Sequence, residues 1–207
     1  MALRTQSAVQ HSIALRVLPI AGLAYAVLTV GGDLVIGQFP DEHTPVAELS
    51  NYYATHHSQV RFGGLLMVLG GMALAVFAAV VVVQSRHRPV VAALVGVAGA
   101  MAAVEAVISG DQYSLLGATA NLSNVSPDAM QAWHLIGSAG TPPGGLALLF
   151  LTLAAVDVLP RWLTIPAALI GIALLTPVGF LASLVGLLWF AIGGVLLSRK
   201  PAQALSS

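Results

Sequence analysis

PVVAALVGVAGAMAAVEAVISGD, residues 89–111, is the stretch whose reading decides the fold. Between Val90 and Ile108 its only ionisable side chain is Glu105, and the rest is apolar or small. As an α-helix it is long enough to cross a hydrocarbon core of about 30 Å. At a rise of ~1.5 Å per residue, Glu105 lies roughly 22 Å beyond Val90, some 8 Å short of the far edge. A carboxyl at that depth is expensive, and function is its default explanation.

Composition agrees with a membrane chain. Of 207 residues, 57% are hydrophobic and 8% charged, with a mean hydropathy of +0.90. Soluble domains carry about 25% charged residues. The formal net charge is zero, so the total argues for neither nucleic acid nor acidic lipid as a partner. With no cysteine, disulfides, thiolate nucleophiles and cysteine metal sites are excluded.

The span within this stretch covers about 89–109, and working outward from it further apolar runs predict spans at about 17–37, 61–83, 130–156, 162–176 and 180–198. The first contains Ala24-Tyr25-Ala26, which mimics a signal cleavage site, but it continues well past that point and reads as a retained helix. The last two come from one long run split at Thr176-Pro177-Val178-Gly179, a helix stop. The expected fold is therefore all-α: one polytopic domain, 1–207, with six transmembrane helices.

Charge placement orients it. With both termini in the cytoplasm, Arg4, Arg16, Arg86, Arg88, Arg161, Arg199 and Lys200 all fall inside, and Arg61 alone falls outside. This is the pattern of a multi-pass plasma-membrane protein. The acids Asp33, Asp41, Glu42, Glu48, Glu105, Asp111 and Asp128 fall in the outer half, with Asp157 inside. Acids contribute little to orientation, so their bias places the site near the outer face.

Two outer segments read as structured. Thr44-Pro45 opens a short helix over 44–58, lying at the interface with Tyr52 and Tyr53 as anchors. Ser126-Pro127-Asp128 starts the fourth span, which Pro142-Pro143 then kinks or breaks. Glycines recur throughout, as at Gly63-Gly64, Gly70-Gly71 and Gly193-Gly194. They allow close helix approach and would equally serve a homo-oligomer.

The segment LPRWLTIPAALIGIALLTPVGFLASLVGLLWFAIGGVLLSRK (159–200), with the outer AELSNYYATHH (47–57), resembles the uncharacterised small multi-pass membrane proteins common in actinobacteria. The resemblance implies fold and topology and brings no chemistry. Glu105 and GDQY (110–113) depart from that pattern.

Counting residues along each helix puts Asp33 roughly 24 Å from Val17 and His134 about 6 Å below the outer surface, so Asp33, Glu105 and His134 are expected at nearly one level. Asp111, Tyr113 and Trp133 sit just above, and Tyr53 and His56 fold over from the interfacial helix. Nothing in the chain matches a nucleophile elbow, a phosphate loop, a dinucleotide fingerprint or an aspartate-rich diphosphate site. His56, His57 and His134 lack metal-ligand spacing, so no metal and no cofactor is expected. What remains is acid–base chemistry on a lipophilic small molecule. A protonated acid in a water-poor chamber suits the start of prenyl cyclisation, with aromatic faces holding the cation. In size and in its intramembrane acids the chain is similar to small transmembrane terpene cyclases. That likeness implies Glu105 as acid, Asp33 or Asp111 in support, and His134 as orienting group or base. Tyr53, His56, Tyr113, Trp133, Phe180 and Trp189 would line the substrate. The alternative is a proton-coupled transporter or ligand-binding membrane protein built on the broken fourth helix. In a structural reading, Glu105 merely ties two helices together.

Overall fold

The computed structural model describes residues 2–38, 40, 41, 43–120, 122, 125–138, 143–156 and 159–198. Glu42, Pro142, Asp157, Arg199 and Lys200 lie outside the described residues, as does the side chain of Arg4. The described chain is all-α, with seven helices: α1 (Ala2–Ile36), α2 (Val46–Gln84), α3 (Pro89–Thr119), α4 (Pro127–Ser138), α5 (Gly144–Ala155), α6 (Arg161–Leu174) and α7 (Gly179–Ser198). Four segments are long and apolar enough to cross a membrane: Arg16–Ile36, Val46–Gln84, Pro89–Thr119 and Gly179–Leu196. The helices Gly144–Ala155 and Arg161–Leu174 are apolar but shorter.

One boundary differs from the sequence reading, the end of α3. The outer helix and second span lie within the 39-residue α2 and meet at a kink, where His56 is non-helical (φ −107, ψ 15), two residues before the expected end of the outer helix. α3 runs to Thr119 rather than ending near 109 because no proline interrupts it and Gly110 sits in close helix contact. The fourth span, expected to be kinked or broken at Pro142-Pro143, is represented by two helices, α4 and α5, with Pro143 non-helical (φ −66, ψ 71) ahead of the second.

α2 has a regular buried stripe. Tyr53, Val60, Met67, Leu74 and Val81 recur at seven-residue intervals and are all buried. Gly63-Gly64, Gly70-Gly71 and Phe77-Ala78 fill the intermediate buried positions. This is the a/d/e face of a left-handed helix pairing, with small residues allowing backbones to touch.

α1 ends where Gly37 takes a left-handed conformation (φ 74) and its N–H bonds to Asp33 O at 2.9 Å. Open space surrounds the position, so Gly37→Ala introduces backbone strain rather than a clash. A loss of about 1 kcal/mol is expected, read as a fall of roughly 2–4 °C in melting temperature.

The chain divides into two compact units: Met1–Ala26, Met72–Ala103 and Pro142–Ser207 form the first, Val27–Gly71 and Val104–Thr141 the second. Unit 1 packs α5 on α6 and α6 on α7. Its centre is aromatic: Phe190 meets Tyr25, Phe77, Phe150 and Trp189 at ring-centroid distances of 5.2, 5.1, 5.1 and 5.4 Å. Unit 2 holds a smaller core of Ile36, Leu49, Tyr53, Val60, Met67, Leu116 and Met130.

Candidate functional site

Tyr53 and His134 meet inside unit 2. On α4, Met130 and His134 are one helical turn apart and both buried, while Trp133, Leu135 and Ile136 are exposed. Ser126 starts this helix as the sequence suggests, its Oγ accepting the Ala129 N–H at 3.2 Å. On α2, Tyr53 belongs to the buried stripe and is 0% exposed. The two helices therefore present Tyr53 and His134 to each other inside the core.

Tyr53 Oη lies 3.0 Å from His134 Nδ1, and His134 Nε2 lies 3.3 Å from the carbonyl oxygen of Asp41. A carbonyl only accepts, so Nε2 carries the hydrogen; Nδ1 of the neutral imidazole then accepts from the Tyr53 hydroxyl. This fixes the tautomer and ties α4 to both α2 and the α1–α2 connection. The connection is itself braced: Asp41 Oδ1 accepts from His43 N at 2.9 Å and Thr44 Oγ1 at 3.2 Å. His134 is 2% exposed, in keeping with its bonds to Tyr53 and Asp41 inside the core.

The network continues outward from Tyr53. Tyr52 packs edge-on against it at 5.5 Å and donates to Ile36 O at 3.3 Å. His56 stacks on Tyr52 at 4.6 Å, with its Nδ1 3.0 Å from Tyr52 O. Half-buried Tyr113 packs against the same core, and its phenol is within electrostatic reach of both Tyr53 and the Asp33 carboxyl. Asp33, Tyr113, Tyr53 and His134 come from α1, α3, α2 and α4 respectively, and all lie in unit 2.

Glycine contacts set the levels. A Cβ on Gly32 would meet Gly63 O and Met67, and one on Gly110 would meet Val68 N and Gly64 O. Antiparallel counting from these points brings Asp33 level with Tyr113. Glu105 is then roughly 11 Å lower, so of the single level expected for Asp33, Glu105 and His134 the first two depart. Residue counts from separate starting points ignore the stagger that close glycine contacts impose.

Directions also separate the candidates. Asp33 is exposed and Glu105 half-buried. Asp111 is exposed and shares a face of α3 with the exposed Val104, Ile108 and Leu115, so it points away from the core that Leu116 and Tyr113 join. Trp133 is 47% exposed, beside His134 in sequence but on the outer face of α4. Phe180 and Trp189 belong to unit 1: Phe180 is 73% exposed, whereas Trp189 is buried against Phe150 and Phe190. Among the described residues no group of histidines and acids is arranged to hold a metal.

Sequence reasoning named Tyr53 and His134 separately and missed their bond. The seven-residue stripe on α2 was the available signal, because it places Tyr53 with Val60 and Met67 rather than in the interface. No family model matches this chain, and neither a curated protein nor a solved structure is similar to it. The fold and the local geometry therefore carry the functional argument, and what the chain is in general terms is a multi-helix membrane protein.

Proposed function

We propose that the chain is a six-span plasma-membrane enzyme with cytoplasmic termini, its outer half performing cofactor-free acid–base chemistry on a lipophilic substrate. The observation that carries this is the convergence of Asp33, Tyr113, Tyr53 and His134, from four different helices, in one unit. Ionisable groups on membrane helices are costly, and bringing several into mutual reach is how such helices support proton movement.

The chemistry that fits best is proton-initiated cyclisation of a prenyl chain, as in the small transmembrane terpene cyclases. Glu105 on α3 supplies the proton to a terminal alkene, and the alkene's electron pair forms the new C–H bond. An internal double bond then attacks the resulting cation and closes the ring. A proton leaves the carbon beside the final cation to a carboxylate, which restores the double bond and the acid; substrate and product are isomers. Asp33 and Tyr113, one level above, hold the polar end of the substrate. Tyr53 and His134 position Tyr113 from behind and do not touch the substrate.

The test is turnover of a prenylated substrate by reconstituted protein. Glu105→Gln is expected to lower kcat at least 100-fold, a general acid being worth about 10²–10⁴, with melting within a few degrees of the parent. Asp33→Asn is expected to raise KM more than it lowers kcat. Full activity in Glu105→Gln, or no conversion by the parent protein, defeats this reading.

One observation favours a second reading. Pro143 takes a non-helical conformation ahead of α5, and interrupted membrane helices form the substrate sites of many transporters. In that reading the same acids couple proton movement to uptake, and Pro142→Ala/Pro143→Ala abolishes uptake.

A further inference from the structure

The zero net charge of the whole chain conceals a division. The sequence of unit 1 contains Arg4, Arg16, Arg86, Arg88, Arg161, Arg199 and Lys200 against the single acid Asp157, a formal charge of +6. That of unit 2 contains Arg61 against seven acids, a formal charge of −6. Among the described residues of unit 1 there is no carboxylate side chain at all.

The helix contacts within unit 1 gather its described arginines at one end. Gly99 of α3 faces Ala78 of α2, so these helices run antiparallel and meet at the turn that carries Arg86 and Arg88. Gly145 of α5 faces Met101 and Ala102, while Leu149 approaches Gly99, so α5 descends α3 towards that same end. Gly171 of α6 faces Leu151 and Ala147, which returns α6 upward from a start, Arg161, at that end. Gly194 of α7 faces Leu18 and Pro19, and Gly22 faces Phe190; Arg16 therefore lies towards the end where α7 finishes, close to one or two turns from the others.

The end is also built to present these groups. Ser85 N–H bonds to Val81 O at 3.0 Å, Arg88 N–H to Ser85 O at 2.8 Å and Ala92 N–H to Arg88 O at 3.0 Å. Ser85 is buried under the turn, whereas Arg86, His87 and Arg88 are exposed. Arg16 and Arg161 are exposed as well, and Trp162 beside Arg161 is 57% exposed, the kind of side chain that settles at a headgroup boundary.

We propose that this end of unit 1, with Arg16, Arg86, Arg88 and Arg161, is a binding surface for the phosphodiester headgroups of anionic phospholipids. Arginine donates in a planar fork that suits phosphate oxygens, and arginines carried by α1, the α2–α3 turn and the start of α6 engage several headgroups at once. The surface therefore favours a leaflet rich in anionic lipid. It does so whether or not the outer half is an enzyme.

Native mass spectrometry of the full chain in a neutral detergent, titrated with phosphatidylglycerol or phosphatidylcholine, tests this. The parent protein is expected to retain phosphatidylglycerol preferentially, and the preference should collapse above about 0.5 M salt through screening. In Arg86→Gln/Arg88→Gln/Arg161→Gln the affinity for phosphatidylglycerol is expected to fall about fivefold per arginine removed. Equal retention of the two lipids by the parent overturns the proposal. Should the triple variant fold poorly, the single Arg161→Gln and the salt series on the parent still decide it. Inorganic phosphate that competes away phosphatidylglycerol at equal concentration would reduce the surface to a simple anion site and also overturn it.

Discussion

His134→Ala is expected to be the most destabilising substitution of a polar side chain in unit 2. The imidazole is buried, with one nitrogen against Tyr53 Oη at 3.0 Å and the other against Asp41 O at 3.3 Å. Truncation leaves the Tyr53 hydroxyl buried without that acceptor, a penalty of about 1–3 kcal/mol, and opens a cavity beside the Tyr53 ring. Together these amount to about 3–5 kcal/mol, or roughly 8–15 °C in melting temperature for a chain of this size. Tyr53→Phe removes the other partner and keeps the ring packing, so its cost is expected at about 1–3 kcal/mol. The Tyr53→Phe/His134→Ala pair separates bond from volume. With both polar groups gone, it should be more stable than the sum of the single losses implies, with a coupling of about 1–3 kcal/mol. The exposed neighbour Trp133→Ala serves as the control and should change little. Melting curves in one detergent measure all four. If His134→Ala melts within about 2 °C of the parent protein, the bond does not hold α4 in place.

That pairing shows what residue order alone conveys about this chain. The apolar runs disclose all-α architecture because lipid imposes one demand on any span, a long apolar stretch, and 89–111 meets it despite Glu105. The start of α4 is equally local, since Ser126 needs only its own following turn. Contacts over long separations are different. Tyr53 and His134 are 81 positions apart, and nothing near either residue specifies the other. The levels of Asp33 and Glu105 depend on how far α1 and α3 slide past α2, which backbone contacts at Gly32, Gly63, Gly64 and Gly110 decide. Hydropathy is blind to that slide, because an apolar helix is equally comfortable in lipid a turn higher or lower. The orientation of Asp111 was legible in principle: its spacing from Val104, Ile108 and Leu115 puts it on their face of α3 once the helix is known to continue beyond Gly110.

The same slide leads to the second large effect, at Gly110. A Cβ there would stand 2.6 Å from Val68 N, 2.8 Å from Gly64 O and 2.9 Å from Met67 Cβ, and the first two are backbone atoms that cannot rotate aside. Gly110→Val therefore forces α2 and α3 apart. In lipid, separated helices recover no hydrophobic free energy that would offset the lost van der Waals contact. The expected loss is about 3 kcal/mol or more, seen as poor yield and early elution loss on size-exclusion chromatography. Gly144→Ala, where a Cβ meets nothing within 4 Å, should express normally. Gly110→Ala is the informative intermediate. Gly110 lies one helical turn before Tyr113, so a small parting of the helices moves the phenol relative to Asp33 and the Tyr53 ring. On the enzymatic reading proposed above, turnover of the prenylated substrate should accordingly fall by a larger factor than the loss of melting temperature implies. Gly64→Ala acts on the same contact, and combining the two should cost less than their sum. Normal folding of Gly110→Val would mean that α2 and α3 do not meet at this point. The levels assigned to Asp33, Tyr113 and Glu105 would then lose their basis.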